Sequence, residues 1–176
     1  MRSCVGCVPI PVPRAAGFYA RVMPRPLRDF VPGTIWHLTC RGVDDRDVVV
    51  DDDDRRLWIG LMRKAASRAG WRLHAWCLMT NHYHLLVSIG LGDTSAALQR
   101  LNGVYAREFN RRHERRGHLW EGRFRAWAVD EERHYENTVR YVLENPVRAG
   151  LVRRWHDWPW LGGIYVATER AVGTPL

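Results

Sequence analysis

His82 and His84 stand one residue apart in an apolar run, LMTNHYHLLV. Alternate side chains of an extended strand share a face, so both imidazoles point one way and Tyr83 points the other. Side-by-side imidazoles are a ready pair of metal ligands. The same spacing also suits surface histidines, or histidines held by hydrogen bonds. A second pair lies further along: Tyr141 and Asn145, one helical turn apart. If Tyr135, Val139, Val142 and Leu143 form the buried stripe of that helix, Tyr141 projects away from it at roughly 100° per residue. Asn145 lies on the side of Tyr141. A phenol and an amide then share a face that packing does not explain, although an exposed tyrosine beside an asparagine C-cap gives the same pattern.

These four residues need a frame. The segment Thr34–Arg41 alternates and is rich in strand formers, which predicts a first strand. After a polar loop over 42–50, Asp51–Asp54 opens a helix that runs to Ala69 and stops at Gly70. Its acidic start and basic end both suit the helix dipole, so the acidic run reads as a solvated helix start. Trp71–Met79 and His82–Ile89 read as strands joined by Thr80-Asn81, a tight antiparallel hairpin. Ser95–Arg112 is a second helix, with Leu98, Leu101, Tyr105 and Phe109 at helical spacing. Phe124–Val129 is a fourth strand. Asp130 is the expected cap of a third helix, which Pro146 should end near Asn145. This order predicts an α+β fold: a ferredoxin-like antiparallel sheet covered by helices. His37 and His74 read as packed or hydrogen-bonded, and Tyr105 and Tyr135 as core residues.

The chain has 176 residues, enough for one domain and a tail, and 46% hydrophobic with 26% charged residues excludes wholesale disorder. No apolar run approaches the roughly 20 residues of a membrane span, so no membrane partner is expected. Of 27 basic residues all but Lys64 are arginines, and the formal net charge is +8. Arginine forks suit phosphates and base edges, which makes polyanions the leading partner class. Between residues 107 and 125 seven arginines oppose three glutamates, with Trp120 in the same run. Cationic groups can follow a phosphate track while an indole stacks on an unpaired base. The candidate DNA contacts are Arg41, Arg111, Arg112, Arg115, Arg116, Trp120 and Arg123. The alternative for the cluster is a solvated helix end with Trp120 in the core. Cys40 and Cys77 lie in apolar segments, as expected of reduced, buried thiols in a cytoplasmic protein; a nucleoid-associated location is expected only with a DNA partner. Cys4 and Cys7 form a lone C-x-x-C with no second ligand pair at matching spacing. Residues 1–22 read as a flexible extension, with Met23 a plausible true start, residues 23–160 as the folded domain and 161–176 as a C-terminal tail.

The runs LMTNHYHLLV at 78–87, FNRRHERRGHLWEGRF at 109–124 and RYVLENPVRAGLV at 140–152 occur in an order and spacing that resembles the REP-associated tyrosine transposases. These belong to the single-tyrosine His-hydrophobe-His nuclease superfamily. The start MPRPLRDFVPGTIWHLTCRG at 23–42 is similar to the N-terminus of that family. The resemblance implies a nuclease acting on single-stranded DNA at hairpin or palindromic repeats. It also implies a role for each residue: His82 and His84 as metal ligands, Tyr141 as the nucleophile and Asn145 as a possible third ligand. This sequence departs from the family pattern at Tyr83, which is bulkier than the usual aliphatic residue, and at Trp-Leu-Gly-Gly over 160–163, where a Trp-Ser-Ser-like run is common.

The implied chemistry is coherent. A free phenol has a pKa near 10, so ionising one at pH 7 costs about 4 kcal/mol. That is small against a phosphodiester barrier, so most of the catalysis must come from stabilising charge at phosphorus and on the leaving oxygen. Mixed nitrogen and oxygen ligands suit Mn²⁺, with Mg²⁺ the abundant alternative. Attack by a tyrosine would leave a 5′-phosphotyrosine and a free 3′-hydroxyl. Two other readings compete: a non-catalytic DNA-hairpin-binding regulator with the same fold, and a hydrolase in which water attacks. Both monomer and homodimer are compatible with the resemblance.

Overall fold

A computed structural model describes residues 29–172. The expectations for residues 1–22, Met23, Cys4 and Cys7 lie outside the described residues. The order is β1 (Ile35–Arg41), α1 (Asp52–Ala69), β2 (Arg72–Leu78), β3 (His82–Ser88), α2 (Thr94–Arg112), β4 (Arg125–Val129), α3 (Glu132–Arg148), β5 (Leu161–Gly162) and α4 (Ile164–Val172). All pairings are antiparallel and the strand order is β4-β1-β3-β2-β5. The first four strands, with helices packed on both faces, form the ferredoxin-like unit, as expected.

Period-two alternation divides the sheet into two faces. On one, Leu38, Cys40, Leu78, Tyr83, Leu85 and Val87 pack under Trp58 and Met62 of α1 and Leu98, Leu101, Tyr105 and Phe109 of α2. On the other, Ala75, Cys77, Met79 and Leu86 pack under Val139, Val142 and Leu143 of α3 and Val166 of α4. Tyr83 is fully buried on the first face, where its hydroxyl donates to Asn102 (3.0 Å). Its bulk is accommodated by that partner. His82 and His84 therefore open onto the α3 face. Cys40 and Cys77 are free and buried, and burial pushes each thiol up to about 12.

The start of α1 is a capping box: the Asp51 carboxylate accepts from the Asp54 amide (2.9 Å), and Gly70 ends the helix in the left-handed region. One expectation needs correcting. The acidic run is not wholly solvated, because Asp54 is fully buried and pairs with Arg112 and His113 at the end of α2. These pairs bolt the two helices together across the chain.

Helix α3 also differs from expectation at both ends. Its cap is Glu131 rather than Asp130, with no side-chain capping bond. Pro146 does not stop it; the helix continues to Arg148. A proline lacks only its own backbone donor, although its ring also crowds the preceding turn. Here the last turn closes around it through Ala149 N–H to Asn145 O, Gly150 N–H to Val147 O and Leu151 N–H to Pro146 O, each 2.9 Å. Burial of Pro146 and packing of Val147 on the core hold that turn in place.

The segment after Trp160 adds β5 beside β2 and α4 over it. Its departure from the family pattern has a steric reason. A Cβ at Gly162 would meet the Trp76 indole at 2.8 Å, and one at Gly163, where φ is 118°, would meet the His74 carbonyl oxygen at 2.4 Å. Serine at either position would force Trp76 or the β2 backbone at His74 to shift.

Candidate active site

The hairpin turn before His82 is pinned from outside. Gly42 N–H donates to Asn81 O (2.8 Å), and Val48 and Val49 N–H both donate to Thr80 O (2.8 and 3.0 Å). The turn thus sets where β3 begins and which face His82 takes. Register does the rest. Arg41 lies opposite His82, and Thr39 opposite His84. Across the other edge of β1, Trp127 lies opposite His37 and Arg125 opposite Thr39. Three strands thereby put His37, Thr39, Arg41, His82, His84, Arg125 and Trp127 on one face.

His84 is 4% exposed, and its two ring nitrogens differ. Nδ1 lies 2.8 Å from His37 Nε2, whereas Nε2 is buried with no hydrogen-bond partner. His82 Nδ1 lies 2.6 Å from Asn81 Oδ1, which accepts its proton and leaves Nε2 with a lone pair. Burial, followed by Arg41, pushes the His82 pKa down to about 4, with Asn145 opposing the shift. Burial, followed by His37, His82 and Arg41, holds His84 well below the usual histidine range, again against Asn145. Burial, followed by His134, pushes His37 down to about 4. Neutral imidazoles with Nε2 lone pairs are what a cation needs, and an orphaned buried nitrogen is costly without one. The residues fit a divalent metal.

Tyr141 comes from α3. Its ring meets His84 edge-on with centroids 5.4 Å apart, and His37 at 5.9 Å. The Arg148 guanidinium lies over its ring at 5.4 Å. Tyr141 is 39% exposed, so substrate can reach it while the buried stripe holds the helix down. Asn145 donates from Nδ2 to the Tyr141 carbonyl (2.6 Å), so its side chain caps nothing at the helix end. Its amide lies beside both His82 and His84, where it raises the pKa of each. The four residues singled out from the sequence are thus gathered at one place.

A cavity of about 630 Å³ opens at His82, His84 and Tyr141, and is lined also by His37, Thr39, Arg41, Glu121, Arg123, Arg125 and Trp127. Of the candidate DNA contacts, Arg41 and Arg123 line it. Arg111, Arg112, Arg115 and Arg116 do not; they lie at and beyond the end of α2. Arg112 is held by Asp51 (3.1 Å) and Asp54, and Arg111 by Glu108 (3.0 Å). Asp51, Asp54 and His113 could gather around a cation, but the Arg112 guanidinium already fills that place. Trp120 is half-buried, with its indole N–H donating to Asn102 O (3.0 Å) and its ring edge-on to Tyr83.

The sequence reading missed His37, Arg125 and Trp127 as site residues. His37 is hydrogen-bonded, as expected, but to His84. The alternation of β1 carries the signal, since His37, Thr39 and Arg41 share a face. It becomes legible only when the ferredoxin-like order sets β1 between β3 and β4.

Known proteins are similar to this chain along most of its length. A REP-associated tyrosine transposase from Escherichia coli K12 is 22% identical over 135 residues, covering 76% of this chain and 78% of that protein. A relative from Haemophilus influenzae is 24% identical over 144 residues, covering 76% and 81%. The solved structure of a REP-associated tyrosine transposase bound to a REP hairpin superposes with a TM-score of 0.68 at 21% identity, covering 87% of this chain and 89% of that one, and so has the same fold. No described helix is long and apolar enough to cross a membrane. Residues 31–145, from just before β1 to the turn of α3 that carries Asn145, match the family of IS200-like transposases, and the chain belongs to that family.

Proposed function

We propose that this transposase is a metal-dependent endonuclease and strand transferase for single-stranded DNA, cutting at or near hairpin-forming palindromic repeats. The observation that carries the reading is the meeting of Tyr141 with His84, edge to face at 5.4 Å, in a cavity rimmed by Arg41, Arg123 and Arg125. A relative of the same fold binds a REP hairpin, and a hairpin with a single-stranded flank is the substrate assigned here.

His82 and His84, through Nε2, and the Asn145 side-chain oxygen would hold Mg²⁺ or Mn²⁺. When bound, such a cation polarises the scissile phosphate and stabilises charge on the departing oxygen. Tyr141 Oη attacks phosphorus, the new Oη–P bond replaces the P–O3′ bond, the phenolic proton is given up, and the 3′ oxygen gains one. The 5′-phosphotyrosine keeps the energy of the broken bond, so a second 3′-hydroxyl can reverse the step and join strands without ATP. Arg148 lies over the Tyr141 ring and pairs with Glu144 (3.1 Å), which sets a guanidinium beside the nucleophile. Asn145 ties the carbonyl of Tyr141 to the ligand side of the helix and so fixes the distance between nucleophile and imidazoles.

The test offers a hairpin-bearing oligonucleotide and Mn²⁺ and looks for a protein–DNA adduct that survives denaturation. The parent protein should form it and Tyr141→Phe should not. An adduct on Tyr141→Phe would remove the nucleophile assignment. Cleavage with no adduct would point to water as the attacking group, and tight metal-independent binding without cleavage to a regulator.

A further inference from the structure

Trp127 sits on β4, the edge strand, and is 48% exposed. Isolated exposed apolar residues need no explanation. This one differs in what lies behind it. Its ring stacks on His37 (centroids 5.5 Å, planes 29° apart), and His37 stacks on His84 (5.0 Å, 21°). Three rings run in file from the surface to a candidate metal ligand. Trp127 therefore stands one ring beyond the centre where the phosphodiester must bind, within reach of the neighbouring nucleotide.

The charge around it is also informative. Arg41, Arg123 and Arg125 line the same cavity against one carboxylate, Glu121. Arg41 pairs with Asp45 (2.7 Å) and Arg125 with Glu121 (3.5 Å), both in exposed pairs that hold weakly. Arg123 makes no ion pair among the described residues. One guanidinium unpaired among the described residues and two held only in exposed pairs, beside an indole with an open surface, fit an unpaired nucleotide. The phosphate meets the arginines and the base stacks on the ring.

We infer that Trp127 is the stacking platform for the unpaired base next to the scissile phosphate, a subsite of the single-stranded flank. This rests on the proposed single-stranded substrate and on the proposed place of the scissile phosphate, but needs no turnover to be read. The test therefore uses binding alone, in Tyr141→Phe protein with a chelator present. The probe is a DNA hairpin carrying an oligo-dT extension, compared with the same hairpin without it. Trp127→Ala should weaken binding of the extended hairpin roughly 5- to 150-fold, the range for one lost base–aromatic stack, and leave the bare hairpin unchanged. Trp127→Phe should restore most of the loss. An abasic site at the stacked position should abolish the difference in affinity between proteins with and without the Trp127→Ala substitution. In the Tyr141→Phe background with Trp127 intact, 5-iodouracil placed along the extension should crosslink to Trp127 from one or two adjacent positions, a readout that does not depend on how a Trp127 variant folds. Equal affinity after Trp127→Ala, equal losses on both probes, no binding of the extension, or crosslinks only to other residues would each overturn the assignment. A parent protein that never forms an adduct overturns the chemistry and leaves a positive stacking result standing.

Discussion

The imidazole of His37 ends 2.8 Å from Nδ1 of His84, while Nε2 of His84 has no partner. If Nε2 is to bind a cation it must carry the lone pair, so the His84 proton sits on Nδ1 and His37 Nε2 accepts it. His37 then fixes both the tautomer and the ring orientation of a ligand it never joins. His37→Ala should weaken Mn²⁺ binding roughly 10- to 100-fold, the usual effect of losing such a partner. His37→Gln, which keeps an acceptor, should recover part of it. Titration of Mn²⁺ by electron paramagnetic resonance reads this without DNA or turnover. Unchanged affinity in His37→Ala would show that His84 needs no such partner.

Asn145 offers a separate test because it touches both halves of the site. Its amide nitrogen holds the Tyr141 carbonyl, its side chain lies beside His82 and His84, and on the proposed reading its oxygen would take the cation. Asn145→Ala should slow adduct formation at least about tenfold, the expected result of losing a group that acts mainly in the transition state. Hairpin affinity should stay near that of the parent, and excess Mn²⁺ should restore part of the rate. If affinity falls and the rate at saturating DNA does not, Asn145 serves DNA binding instead.

What could be read from the sequence divides along the distance between partners. Strand alternation and helical stripes are local, so the βαββαβ order, the shared face of His82 and His84, and the exposed side of Tyr141 were all legible. The bond between His37 and His84 joins residues 47 apart in the chain, and the contact of Asp54 with Arg112 joins residues 58 apart. Neither leaves a mark on its own neighbourhood. Clustering of Arg111, Arg112, Arg115 and Arg116 in sequence said nothing about the cavity, because the end of α2 lies away from its lining. Pro146 misled because the rule for proline weighs local crowding of the preceding residue and ignores burial. The two-residue strand β5 is too short to show any period, and its glycines make sense only against Trp76 and His74.

Asp54 is the clearest stability test. It is fully buried, accepts from the amides of Val50 (2.9 Å) and Asp51 (3.4 Å), and faces Arg112 and His113. Removing the carboxylate strands a partly buried guanidinium and opens the α1 cap. Asp54→Ala should cost about 3 kcal/mol, at the lower end for breaking a buried pair because Arg112 keeps some solvent. That corresponds to a fall in Tm of roughly 6–12 °C. The fall should be the same with Mn²⁺ and with a chelator, since the cluster is an ion-pair network. A Tm that Mn²⁺ raises in the parent but not in Asp54→Ala would make it a metal site.

His74 sets an expectation for pH. Its ring bridges Tyr135 Oη (3.0 Å) and Ser88 Oγ (2.6 Å) where α3 crosses β2 and β3, with Asp130, Glu131 and Glu132 around the same hollow. Burial, followed by Arg72, lowers its pKa below the usual 6.5. The unfolded chain therefore takes up a proton at this position before the folded one does. Stability from this group is complete above about pH 6.5, is lost as pH falls below that value, and levels off once the folded ring protonates too. His74→Gln keeps a polar bridge and removes the titration. Its unfolding free energy, measured by urea denaturation between neutral and mildly acidic pH, should fall less steeply than that of the parent. Parallel slopes would mean that the proton at His74 is bound equally well in both states, and that the bridge to Tyr135 and Ser88 does not hold the ring neutral.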